Sequence, residues 1–220
     1  MKENSLLGGR LIWVGLFSSA FAFVEATVVL YLRSLYYPDG FVFPLRMMVP
    51  GHVAAELVRE CSTILMLIAF GALAGVSRWT KFAFFCIAFG LWDLFYYIGL
   101  KVLLDWPSSL FDWDILFLIP IPWIGPVIAP VIISMILIGG GVAILRRENT
   151  GTTFHPSVAA IAVACVASVV VIVSFMLDTQ ATLHFALPSP YHYEVFVSGC
   201  LLYGLAAVLA FRIPARRKNL

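Results

Sequence analysis

The sequence predicts an all-α fold: a polytopic membrane helix bundle of six transmembrane helices, with a proline-broken or re-entrant segment before helix 4. Three observations carry that prediction. The 220 residues are 62% hydrophobic and 12% charged, with a mean hydropathy of +0.99, and the charged share is about half that of ordinary globular chains. The apolar residues fall in blocks of membrane-spanning length. Lysine and arginine follow a loop-to-loop asymmetry that six spans make consistent. No polar stretch is long enough to fold alone, so residues 1–220 read as a single integral membrane domain.

The first span is expected at about 10–32, with Glu25 in its second half. Lys2, Arg10 and Ala20-Phe21-Ala22 have some of the look of a signal peptide, but the apolar run continues to Leu32, which favours an uncleaved helix. Tyr36-Tyr37-Pro38-Asp39-Gly40 marks a turn. The second span covers about 52–75 and the third about 81–104, separated by Arg78 and Lys81. A polar turn follows, with Asp105, Asp112 and Asp114 among Trp106, Pro107 and Trp113.

The run from Ile115 to Leu145 is too long for one straight span; at 1.5 Å per residue it exceeds the hydrocarbon core by roughly half. Pro120, Pro122, Pro126 and Pro130 break it. The expected solution is a short interfacial or re-entrant piece to about Pro122, with the fourth span inside 120–145. The fifth span, about 156–177, is rich in Ala and Val and carries no charge, as befits a scaffold helix. A loop with His184 leads to the sixth, about 193–211. The basic tail Arg212 to Lys218 suits an anchor to anionic lipid, and is too short to suggest nucleic-acid binding. Cys61, Cys86, Cys165 and Cys200 lie in apolar runs without CxxC spacing and read as free buried thiols. Trp106, Trp113 and Trp123 stand where an interfacial aromatic belt is expected.

Six spans put both termini on one side with the 78–81 and 146–155 turns. That side holds Lys2, Arg10, Arg78, Lys81, Arg146, Arg147, Arg212, Arg216, Arg217 and Lys218, ten of the fourteen basic residues. The positive-inside rule then makes the protein a multi-pass cell-membrane protein with both termini cytoplasmic. Acidic residues do the reverse. Only Glu3 and Glu148 lie inside; ten acids lie in the outer half against Arg33, Arg46, Arg59 and Lys101, a balance near minus six. Orientation does not explain this excess, because acidic residues contribute little to topology.

Some of these acids form a pattern. His52, Glu56 and Glu60 stand at i, i+4 and i+8, within an arc of roughly 80° on one helix face. Asp93, Tyr97 and Lys101 repeat the spacing on the third span. Glu25, and the His192–Glu194 pair opening the sixth span, come to a similar depth once the chain is threaded. Buried ionisable groups are costly in a bilayer, roughly 2.5–3.5 kcal/mol each on insertion scales, so their convergence argues for a site.

Three chemistries fit. His52, Glu56, Glu60 and His192, with Asp93 or Glu194, could ligate a divalent metal such as Zn²⁺, Fe²⁺ or Mn²⁺. Glu56, Glu60, Asp93 and Glu25 could instead work as a metal-free acid/base set on a lipid or other apolar substrate entering from the bilayer. Third, Arg59 with Glu56 or Glu60, and Lys101 with Asp93 or Asp105, could form ion pairs that only tie helices together. The leading expectation is an enzyme with an outward-facing carboxylate/His site. The alternatives are a cation or proton transporter or channel, to which broken helices are suited, and a non-catalytic subunit or assembly factor.

Overall fold

The computed structural model describes residues 2–149, 152–212 and 216–217. It is an all-α bundle with six helices long and apolar enough to cross a membrane: Leu7–Tyr36, Pro50–Ala74, Arg78–Leu104, Ile128–Glu148, Val158–Met176 and Tyr193–Phe211. The shortest has 19 residues, or about 28 Å of helix, close to the thickness of the hydrocarbon core. In chain order the helices are α1 (Lys2–Tyr36), α2 (Pro50–Ala74), α3 (Arg78–Leu104), α4 (Ile128–Asn149), α5 (Val158–Met176), α6 (Thr179–Leu183) and α7 (Tyr193–Phe211). The short α6 lies in the loop ahead of the last span and went unread in the sequence.

Local chemistry sets the helix ends. Pro50 occupies the first turn of α2, where its missing N–H costs nothing. Ser77 caps α3 by accepting from the Thr80 N–H, while the Thr80 hydroxyl oxygen accepts from the Ser77 N–H, so α3 starts three residues ahead of the expected Lys81. Ser157 caps α5 by accepting from the Ala160 N–H alone. Asp105, in the left-handed region at φ 50, ends α3.

The fourth span departs most from expectation. Trp113–Phe117 (β1) and Trp123–Pro126 (β2) pair as an antiparallel hairpin, with Asp114 opposite Gly125 and a register shift between Ile115 and Phe117. Helix α4 begins only at Ile128. The prolines explain the delay: each lacks an N–H and steers the residue before it out of helical geometry. Cross-strand pairing supplies the hydrogen bonds that helix cannot. A second, two-residue pair joins β3 (Thr152–Thr153) to β4 (Arg216–Arg217). The rest of the basic tail, 213–215 and 218–220, lies outside the described residues, as do 150–151 of the loop after α4.

Helix α3 is the central element, packed against α1, α2 and α4. Small residues permit the approach. A Cβ on Gly90 would sit 2.6 Å from the Ser134 carbonyl oxygen of α4, and one on Gly99 2.8 Å from the Ala26 Cβ of α1, the close backbone packing that membrane helices favour. One half of the bundle is filled by Leu67, Phe84, Ile87, Ala88 and Leu145. Helices α5 and α7 pair with each other and meet the rest through β2 and α4.

All four cysteines are free, but only Cys86 is buried; Cys61 and Cys165 are exposed, on helices whose outer faces suit lipid. The three tryptophans expected in a belt turn inward instead. Trp106 stacks on Arg33, Trp113 packs edge-on against Phe43 and Tyr191, and Trp123 packs on Phe117 and Phe175. The aspartate-rich turn brings them in by folding back over the bundle.

Candidate functional site

A cavity of about 220 Å³ lies between α1, α2, α3, the start of α4 and the β1–β2 hairpin. The periodicity of three helices aims polar groups at it. On α2 the buried stripe runs Glu56, Glu60, Thr63, Leu67 and Gly71, so the acids lie on the same inward stripe as the packed residues. On α1, Ser18, Ala22, Glu25 and Ala26 are buried together. On α3, Trp92, Asp93, Tyr96 and Tyr97 border the same space. All four expected carboxylates, Glu25, Glu56, Glu60 and Asp93, line this one cavity.

Arg59 organises one wall. Its guanidinium bonds to Glu25 across the α1–α2 interface and to Glu56 at 2.8 Å along its own helix. Glu25 accepts a further bond from the Thr63 hydroxyl at 2.7 Å. Glu25 and Glu56 are thus matched by one cation and a hydroxyl, and Arg59 is held by both.

Glu60 and Asp93 are held differently. Both Glu60 oxygens accept from the backbone N–H of Leu118, at 2.9 and 3.1 Å, where the hairpin leaves β1. Asp93 accepts from the Ser134 hydroxyl of α4 at 2.7 Å. Neither forms an ion pair among the described residues. Asp93 remains partly exposed although it stands mid-helix in the central element, because it borders the cavity.

A second ion pair closes the far side. Arg33 donates to Asp114 at 3.1 Å, and both side chains are buried. The guanidinium lies in the corner made by the edge-to-face rings of Phe41 and Trp106, 4.2 and 3.8 Å from their centroids, and the Tyr97 hydroxyl donates to Asp114 at 3.2 Å. Burial pushes the Asp114 carboxyl above the usual carboxylate range, while Arg33 and Tyr97 pull against that shift. Sequence reading placed Arg33 and Asp114 in outer loops and read 91–130, with Asp114 in it, as one wall of a polar site, but named neither residue among the site groups. The available signal was an aspartate embedded in WDILF beside several aromatics; a solvated turn has little use for that pattern.

Other expected residues stay outside. His52 is exposed, with Nδ1 2.5 Å from the Tyr36 hydroxyl, one turn beyond the packed part of α2. His192 and Glu194 pair with each other at 2.8 Å with both side chains open, away from the cavity. The four residues read as a metal set are therefore not brought together. Among the described residues, no three His, Cys, Asp or Glu side chains come together in a way that could hold a metal ion. The physical reason is that both histidines lie on exposed surface, His52 against Tyr36 and His192 against Glu194, while Glu56 is held by Arg59 and Glu60 by the Leu118 amide. Lys101 reaches Asp105 at 2.7 Å, not Asp93, on an exposed surface; it also donates to the Asp105 and Pro107 carbonyls and so dresses the end of its own helix. His155 and His184 are exposed, as loop residues should be.

No protein-family model matches the chain, and no curated protein or solved structure matches it.

Proposed function

We propose that this multi-pass membrane protein is an acid/base enzyme acting on a lipid or other apolar molecule, with Glu60 and Asp93 as the proton-carrying groups. One observation carries the reading: both carboxyls border a largely apolar cavity within the bundle without a cationic partner, while the nearest cation, Arg59, is already taken by Glu25 and Glu56. General acid–base work needs a positioned group within hydrogen-bond reach of the proton it moves, screened from bulk water. The Leu118 amide fixes Glu60 and the Ser134 hydroxyl fixes Asp93. Arg59, Glu25, Glu56 and Thr63 hold the helices that carry them. A purely structural network accounts for Arg59 and its partners but leaves the Glu60 and Asp93 carboxyls without a cation. A transport path would have to cross the half of the bundle packed with Leu67, Phe84, Ile87 and Ala88.

The test is the extractable lipid and apolar small-molecule profile of cells that lack the protein, express it, or express Glu60→Gln or Asp93→Asn. The expected result is at least one species that changes with the wild-type chain and with neither variant. A profile that ignores the wild-type protein altogether overturns the enzyme reading.

The same reading puts the cavity on the outer side, with both termini cytoplasmic; the support is the distribution of basic residues among loops. In a background freed of the native cysteines, an impermeant thiol reagent on intact cells is expected to label a cysteine at position 109 and spare one at 150. The reverse pattern means the bundle is inverted.

A further inference from the structure

Counting formal charge around the cavity shows what is missing from it. Glu25, Glu56, Glu60, Asp93 and Asp114 line it, and Arg33 and Arg59 are the cations that line it with them. Each arginine is already in an ion pair. An occupant bringing a positive charge would relieve the excess, and one bringing a negative charge would add to it. The aromatic rings of Phe89, Trp92, Tyr96 and Trp123 on the walls are also surfaces that attract a cation.

Arg33 is buried with Asp114 and its charge is matched there, so it offers no net attraction for an anion. Ile133, Phe175 and Leu116 add apolar wall, and α2 makes no contact with α4, α5 or α7 comparable to its packing on α3, a gap through which a hydrocarbon chain could enter from the bilayer.

We propose that the cavity binds an amphiphile whose head carries a cationic amine, the amine held by Asp93 and Glu60 and the chain lying along Ile133 and Phe175. This names the substrate class of the enzyme reading above and rests on it. A bare divalent ion lacks converging ligands, and a fatty acid would place its carboxylate among unmatched acids.

The experiment measures binding to the purified full chain in an uncharged maltoside. The probes are sphinganine, the fatty alcohol and fatty acid of the same chain length, and ethanolamine as a head without a chain. Sphinganine is expected to bind most tightly and to raise the melting temperature most. Asp93→Asn keeps the Ser134 partner and is expected to weaken sphinganine binding roughly tenfold, the loss of one charge-assisted hydrogen bond. Equal binding of the alcohol or acid by the wild-type chain overturns the proposal, as does ethanolamine binding as tightly as sphinganine, or Asp93→Asn binding sphinganine unchanged. The wild-type comparison decides even where a variant does not fold. Binding does not read turnover. Sphinganine bound by a chain that alters no lipid removes the enzyme reading alone, and turnover of a neutral lipid without amine binding removes this proposal alone.

Discussion

Arg59→Met is expected to destabilise the protein by about 3–5 kcal/mol, because it leaves two carboxylates in the bundle interior with no cation. Glu25 and Glu56 are both buried, and Arg59 bridges them from α2 to α1. The loss should appear as a steep fall in melting temperature and in monodisperse yield after purification. Pairing the change with Glu25→Gln is expected to recover much of it, since Gln still accepts from Thr63 and no longer carries an unmatched charge. Lys101→Ala provides the contrast. Its partner Asp105 is open to solvent, so melting should stay at the wild-type value. If Arg59→Met melts like the wild type, the α1–α2 bridge is not what holds this end of the bundle together.

Asp114→Ala is the second change with a large expected effect, again about 3–5 kcal/mol. It strands the Arg33 guanidinium against Phe41 and Trp106 and takes the acceptor from the Tyr97 hydroxyl. Its consequence is local as well as global. The Arg33–Asp114 bond latches the hairpin to α1, and the Leu118–Glu60 bonds latch it to α2. Releasing the first should open the 113–126 segment to thiol labelling and proteolysis at temperatures where the wild-type segment is protected. Arg33→Lys should not substitute for arginine, because an ammonium offers no flat face to the Trp106 ring while it reaches the carboxylate. Wild-type melting and protection in Asp114→Ala would mean that the hairpin is held elsewhere.

The inward stripe of α2 was legible because charge in an apolar helix carries a high cost and a 3.6-residue period puts Glu56 and Glu60 on one face. The same reasoning reached Glu25 and Asp93. It failed for His52, which shares the period but lies a turn past the packed region, where Tyr36 takes it up. It failed too for His192 and Glu194, since a residue at the mouth of a helix can reach the right depth and still face away from the bundle axis. Periodicity gives the angle of a residue on its own helix and says nothing of how that helix is turned against its neighbours.

The sequence by itself determined the class of the protein, its six spans and the level at which polar groups gather, because hydrophobic length and the cost of buried charge act on each segment separately. Partner choice was decided only by the tertiary structure. Arg59 bridges Glu25 and Glu56 because α1 packs beside α2 at that height, and Lys101 is lost to the site because it stands where α3 emerges from the bundle. The prolines announced that helix would fail before the fourth span. That the broken segment would become a hairpin, carry Asp114 to Arg33 and offer its Leu118 amide to Glu60, follows from pairing between residues far apart in the chain. Such contacts form only where several helices already stand together, so no local signal records them.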